Sequence, residues 1–266
     1  MIAILGALRE EVSWLRRRMD VQETISEAGC TLWRGTFQGR DVVLAQTGMG
    51  KQRAQAATRL IIERYPIATL VSFGFAGALA EELNAGDVVL YSAVHCEQAD
   101  ANSAVHCADA AADAVADPAG SPLQSFASSD DMIAHAKRVL EGAAVRFFYE
   151  PGVSVRHVVL SPEDRGRLAE AHGVSVVDME SYWIAEIAAE RQIPCVILRS
   201  VSDTKHETLL PFDQLMNEDG VVLWRAAAAH FIRRPRDLAV IGRLYRNTRL
   251  AKRKLAVAMD ALIAKL

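Results

Sequence analysis

A chain of 266 residues, 51% hydrophobic and 24% charged, can bury a full core and is too mixed in composition for a disordered or low-complexity polymer. A net charge of −3 gives no general basis for binding nucleic acid, and the apolar run at the N-terminus is too short to span a bilayer. Cys30, Cys96, Cys107 and Cys195 show no CxxC spacing and the N-terminus has no leader pattern, so a cytoplasmic protein with reduced thiols and no disulfide is expected.

Residues 2 to 7 read as a buried strand running into a turn at Gly6, followed by a helix from Glu10 to Arg18 with Glu11 in its first turn. Leu32 to Phe37 and Asp41 to Ala45 flank Gln38-Gly39, a hairpin signal. The second of these strands enters Thr47-Gly48-Met49-Gly50-Lys51, a glycine-rich turn before a helix from Gln52 to Arg64. Such a turn either serves only as a tight connection or offers backbone N–H groups to a ligand, and its spacing is not that of a P-loop. Thr69 to Phe73 reads as a strand ending in a small-residue turn from Gly74 to Ala78, and Gly86 to Val94 as another strand.

The segment from Cys96 to Asp130 is rich in Ala, Asp and Ser and reads as a long insertion. SAVHC occurs twice, at Ser92 to Cys96 and Ser103 to Cys107, but the spacing matches no standard zinc pattern, so no metal and no cofactor are expected. A helix from Asp131 to Leu140, strands at Val145 to Tyr149 and Val153 to Leu160, and a helix from Pro162 to His172 follow. Helical patterns recur at Phe212 to Met216 and Gly220 to Ile232.

The stretch from Val176 to Asp203 concentrates the chemistry. It reads as a strand, a helix from Ser181 to Arg191, and a second strand from Pro194 to Leu198. Asp178 and Glu180 fall where the first strand meets the helix, and Asp203 falls just past the second strand. In open α/β sheets ligands bind beyond the carboxyl ends of strands, so these acids can meet one ligand; alternatively, Asp178 and Glu180 only cap the helix. Strands alternating with helices, with one hairpin, indicate an α/β fold with a mixed sheet.

From Arg233 to Leu266 ten Lys or Arg face two Asp, a balance of +8 that leaves −11 on the other 232 residues. One domain plus an appendage is therefore expected: a catalytic domain over 1–232 and a basic amphipathic helical extension over 233–266. The extension suits either peripheral contact with an anionic membrane surface or packing on the parent domain or a partner subunit.

GALREEV (Gly6 to Val12), TGMGK (Thr47 to Lys51), SFGFAGAL (Ser72 to Leu79), AGDVV (Ala85 to Val89), VVDMES (Val176 to Ser181) and RSVSD (Arg199 to Asp203), taken in order, resemble the purine nucleoside phosphorylase and methylthioadenosine nucleosidase superfamily. The resemblance implies a three-layer αβα sandwich around a central mixed sheet, cleavage of a nucleoside N-glycosidic bond and a homo-oligomer, most simply a dimer. It implies Asp203 as acid at the purine, Glu11 as the base that activates water, and Glu180 on the ribose with Met179 packed against the sugar. Asp178, Ala76, Gly77 and Ser202 complete the implied substrate-binding set. Chemically, the leaving base needs a proton and the oxocarbenium-like sugar needs a nucleophile on its other face.

Two features depart from the pattern. Phe75 stands where the superfamily carries serine, and its side chain cannot bond an oxyanion, which favours water over phosphate, although Arg9, Lys51 or Arg199 could supply charge from elsewhere. The segment between Leu160 and Val176, where nucleosidases carry a base-stacking aromatic residue, is shortened. The VDMES wording and the basic tail are similar to the hopanoid-associated phosphorylase subgroup, which implies an adenosyl-lipid substrate. The expected function is hydrolysis of a purine nucleoside, a 5′-modified adenosine; phosphorolysis and non-catalytic nucleoside sensing are the alternatives.

Overall fold

The first strand displays the plan of the molecule. In β1 (Ile2–Gly6) every residue is buried, with Ala3 and Leu5 in one apolar cluster and Ile2 and Ile4 in another, as a strand covered on both faces requires. It lies between β4 (Arg40–Gln46) and β5 (Thr69–Ala78), parallel to both. The alternation continues on β4, where Val43 and Ala45 join the first cluster while Val42 and Leu44 join the second. Helices α2 (Lys51–Arg64) and α5 (Ser181–Glu190) cover the first through Ala54, Ala57, Ile61, Ile184 and Ala188. Helices α1 (Arg9–Arg16), α3 (Asp130–Gly142) and α6 (Asp237–Lys265) cover the second through Val12, Leu15, Ile133, Leu140, Leu255 and Leu262. This is the expected three-layer αβα arrangement.

The structure, a computed structural model, describes residues 1–27, 29–96, 104–106, 130–143, 146–210, 233–234 and 237–266. Its ten-stranded sheet is mixed. β10 (Cys195–Asp203) runs parallel to β5 and antiparallel to β6 (Val88–Cys96). β6 pairs with β8 (Phe147–Ser154), β8 with β9 (Val176–Asp178), and β9 with β5, so five strands close on themselves. On the other side of β5 the sheet extends through β1 and β4 to β3 (Cys30–Phe37) and β2 (Asp20–Glu27). Between β3 and β4, Gln38 (φ 51°) and Gly39 (φ 74°) both adopt the left-handed conformation that a tight two-residue hairpin demands.

Several elements differ from the sequence reading. β2 was not expected, because Asp20–Glu27 is polar and alternates between exposed and half-buried positions at the sheet edge. Residues 74 to 78 do not form a turn: they remain in β5, with Gly74, Phe75, Ala76 and Gly77 opposite Arg199, Ser200, Val201 and Asp203. Asp203 accordingly lies within β10, five residues beyond the expected strand end. Pro151-Gly152 does not divide β8 into two strands, because Gly152 leaves the space that the Tyr91 ring fills. Of the second SAVHC copy, Ala104–His106 returns as β7 against β6, with His106 opposite Ala93. The rest of the insertion, and the helices expected at 212–216 and 220–232, fall outside the described residues.

Within the basic tail, Asp237–Lys265 is one continuous helix with two characters. In its C-terminal half Leu255, Ala258, Met259, Leu262 and Ile263 are core residues, and Arg18, in the turn that follows α1, pairs with Asp260 at 2.6 Å. In its N-terminal half Leu238, Ile241 and Tyr245 are exposed.

Candidate active site

Glu11 begins as a helix-capping residue and ends as the inward-facing acid of α1. At the third position of the helix its side chain turns back, and Oε2 accepts N–H bonds from Ala7 at 2.7 Å and Leu8 at 2.8 Å. Its other oxygen accepts from the backbone N–H of Phe75 at 2.8 Å. The close approach to β5 depends on Gly74: a Cβ there would lie 2.5 Å from Glu11 Oε1 and 3.2 Å from Arg199 Nη1. Burial raises the Glu11 pKa above the ordinary glutamate value, although Arg199 and the three N–H donors pull it down.

Asp178 and Glu180 have divided the two roles that their position left open. Asp178 caps α5, its Oδ1 accepting from the N–H groups of Glu180 and Ser181 at 3.0 Å each and from Ser154 Oγ at 2.6 Å. Its Oδ2 accepts from Tyr91 at 2.9 Å, Arg199 Nε at 3.1 Å and Ser181 Oγ. Six donors saturate both oxygens, so Asp178 organises its neighbours and presents no free acceptor. Burial opposes its charge, but Arg199 and the hydroxyls of Ser154 and Ser181 outweigh burial and hold the carboxyl below the ordinary aspartate value.

Glu180 makes no cap. It reaches instead to the glycine-rich turn, where Gly50 (φ 85°) donates its N–H to Glu180 Oε1 at 2.8 Å. That turn therefore does bring a backbone donor to a carboxyl oxygen, one belonging to the protein itself. Burial, then the charge of Asp178, pushes Glu180 up to about 8, with Glu11 contributing in the same direction. Near neutral pH it carries a proton and is both donor and acceptor.

Arg199 ties these acids together. It is buried, gives Nε to Asp178 and Nη2 to Ser72 Oγ at 3.0 Å, and among the described residues leaves Nη1 without a partner beside Gly74 and Glu11. Ser72 is thus engaged with Arg199.

Asp203 stands four residues further along the same strand, and no hydrogen bond joins it to that cluster among the described residues. Its Oδ1 accepts from Ser202 Oγ at 2.6 Å, and its Oδ2 is paired with Arg165 of α4 (Pro162–His172). Arg165 is 1% exposed and also donates to the carbonyls of Ala78 and Thr204 at 3.2 and 3.1 Å. Gly77 makes room for the pair, since a Cβ there would lie 2.8 Å from Asp203 Oδ2. Ala76 is buried with its carbonyl 3.4 Å from Ser202 Oγ, and half-buried Met179 packs on Leu79, Val153 and Val177.

Sequence reasoning missed Arg165, Tyr91 and Ser154 as parts of this arrangement, and named Arg199 only as a source of charge for phosphate. Arg199 lay within a quoted motif, and its place on a buried strand was the available signal; Arg165 sits in a polar helix that reads as solvated. Among the described residues no group of three or more His, Cys, Asp or Glu is placed to hold a metal ion, and no helix is long and apolar enough to cross a membrane.

The model of the phosphorylase superfamily matches residues 1–233. The 5′-methylthioadenosine/S-adenosylhomocysteine nucleosidase of Bacillus thuringiensis is 27% identical over 222 residues, 82% of this chain and 92% of that protein. The fold is shared with the corresponding nucleosidase of Neisseria meningitidis in complex with methylthio-immucillin-A, at a TM-score of 0.73 and 24% identity over 100% of this chain and 99% of that one. It is shared too with the futalosine hydrolase of Helicobacter pylori, at a TM-score of 0.67 and 20% identity over 97% of each chain.

Proposed function

The chain belongs to the phosphorylase superfamily, and from that premise we propose that it hydrolyses the N-glycosidic bond of a 5′-modified adenosine. The observation that carries this reading is the burial of Glu11 beside Gly74 within the field of the Arg199 guanidinium, whose Nη1 has no hydrogen-bond partner among the described residues. A carboxylate with a raised pKa is a better base near neutral pH, and the guanidinium keeps its charged form accessible. Glu11 takes a proton from water, whose oxygen bonds to C1′ as the bond from C1′ to the purine breaks. The bonding pair leaves with the base, and Asp203, oriented by Ser202 and Arg165, takes up a proton from solvent and passes it to N7. Protonated Glu180 donates to a ribose hydroxyl while Met179 packs on the sugar; Ala76 and Gly77 allow close approach, and Asp178 positions the rest.

Water is favoured over phosphate because the Phe75 N–H is committed to Glu11 and the phenyl ring bonds no oxyanion. The nucleosidase names of the relatives support the same choice. The test is release of adenine from methylthioadenosine, adenosylhomocysteine and adenosine, with inosine as a comparison, with and without phosphate. Adenine release independent of phosphate is expected. Strict phosphate dependence would establish phosphorolysis, and tight nucleoside binding without turnover, surviving Asp203→Asn, would establish a sensor.

We further propose a cytoplasmic homo-oligomer, which a monomeric mass at micromolar concentration would contradict. The exposed Leu238, Ile241 and Tyr245, beside Arg246 and Arg249, support peripheral contact with an anionic membrane surface, confined to this half of α6 because the other half is core. Flotation with anionic liposomes at low salt should be lost on Leu238→Asp with Tyr245→Asp; flotation that persists in this variant would dismiss the contact. An adenosyl-lipid substrate would suit such a location.

A further inference from the structure

On the face of α1 opposite Glu11 lies a cavity of about 730 Å³, walled by Arg9, Arg16, Arg17 and Lys252, with Ser13 and Trp33 also contributing. Glu10 is the one carboxylate in its lining, so four cations face one anion. The cations come from α1 with its C-terminal cap and from α6, far apart in sequence, and three of the four are held in position. Lys252 of α6 donates to Ser13 Oγ at 3.2 Å, Arg17 Nε donates to the Ser13 carbonyl at 3.0 Å, and the Arg16 guanidinium lies 5.9 Å from the Trp33 ring centroid. Among the described residues none of the four cations has a carboxylate within ion-pairing distance, whereas the adjoining Arg18 is paired with Asp260.

A sphere of this volume is about 11 Å across, close to the screening length of roughly 8–10 Å at physiological salt, so the four charges feel one another across the space. Lys252 registers that strain: burial first, and then the charge of Arg17, lowers its pKa. A solvated basic surface would disperse its charges; here they surround a concave space walled on one side by an aromatic ring. Several guanidinium groups and an ammonium around one cavity match the acceptor oxygens of linked phosphate groups.

We propose that this cavity binds a phosphate-bearing polyanion, of the diphosphate class, at a site separate from the candidate catalytic carboxylates. The assignment does not depend on the nucleosidase reading, because Glu11, Arg199 and Asp203 take no part in it. Two sources offer this chemistry, a free diphosphate and the headgroup of a phosphorylated lipid.

The test is calorimetric titration and thermal unfolding of the full chain with sodium pyrophosphate, against sodium chloride at equal ionic strength. Saturable binding and a raised Tm with pyrophosphate alone are expected. Affinity should fall at least tenfold in Arg16→Gln with Arg17→Gln, and again in Lys252→Gln. Arg16→Gln, at an exposed position, provides a variant whose folding is undisturbed, and circular dichroism checks the others. Co-sedimentation with vesicles carrying a prenyl diphosphate lipid, lost in the same variants while free pyrophosphate is ignored, would assign the site to a lipid diphosphate headgroup. Pyrophosphate binding unchanged by these substitutions would overturn the proposal by placing the anion elsewhere, and so would a response that chloride reproduces or an absence of binding in every arm.

Discussion

Glu180→Gln isolates the consequence of burying a carboxyl group beside Asp178 and Glu11. The folded protein holds a proton on Glu180 up to about pH 8, whereas an unfolded chain releases it near 4.5. Between those values the native state binds more protons than the unfolded state, so stability falls as pH rises, and the loss is complete above about 8. From pH 6 upward some two pH units of this window remain, which at about 1.4 kcal/mol each amounts to roughly 3 kcal/mol. Glutamine retains an oxygen for the Gly50 N–H and cannot ionise, so the variant escapes this loss. Thermal unfolding of both proteins from pH 6 to pH 9 should show the wild type losing roughly 6–12 °C more than the variant, at about 2–4 °C per kcal/mol for a chain of this size. Groups that titrate identically in both proteins cancel in the difference. Parallel Tm profiles over that range would show that Glu180 is ionised at neutral pH and that the protonated-donor role is wrong.

Three other substitutions probe the surrounding structure. Arg165→Met strands Asp203 in a buried position and should lower stability by about 3–5 kcal/mol in urea unfolding; a loss below about 1 kcal/mol would mean that the pair is open to water. Gly74→Ala forces a methyl group against Glu11 Oε1 and Arg199 Nη1 and should lower stability by about 1–3 kcal/mol together with base release, so a variant normal in both would contradict this packing. Leu262→Ala should cost about 2–5 kcal/mol if the end of α6 is core, and a neutral result in the same unfolding assay would return the tail to solvent.

What was legible in the sequence was whatever short-range pattern determines. The order of strands and helices followed from buried runs such as Ile2 to Leu5, and the β3–β4 hairpin from Gln38-Gly39, whose positive φ values are a local demand. Helix α4 likewise declares itself locally: Ser161 accepts the Asp164 N–H at its start, and Gly173 (φ 61°) closes its end. The ends of β5 and β10 were not legible, because a strand containing Gly74 and Gly77 looks like a turn until its partner is known. Both glycines leave room for side chains from elsewhere in the chain, Glu11 with Arg199 at one and Asp203 with Arg165 at the other.

The division between Asp178 and Glu180 shows why the site needed the structure. The two acids are two residues apart at the start of one helix, and local rules allow either to cap it. The choice is made by groups 21 to 130 residues distant: Ser154, Tyr91 and Arg199 converge on Asp178, while Gly50 meets Glu180. Asp178, so supplied with donors, stays charged, and its charge helps keep the neighbouring Glu180 protonated. Two like carboxyl groups are thereby driven to opposite protonation states, one a fixed anion anchoring Arg199 and the other a neutral hydrogen-bond donor. The reactive asymmetry of the site is a property of its long-range contacts, and exchanging Asp178 for Asn should weaken it by removing the fixed anion that adds to burial in keeping Glu180 neutral and that anchors Arg199.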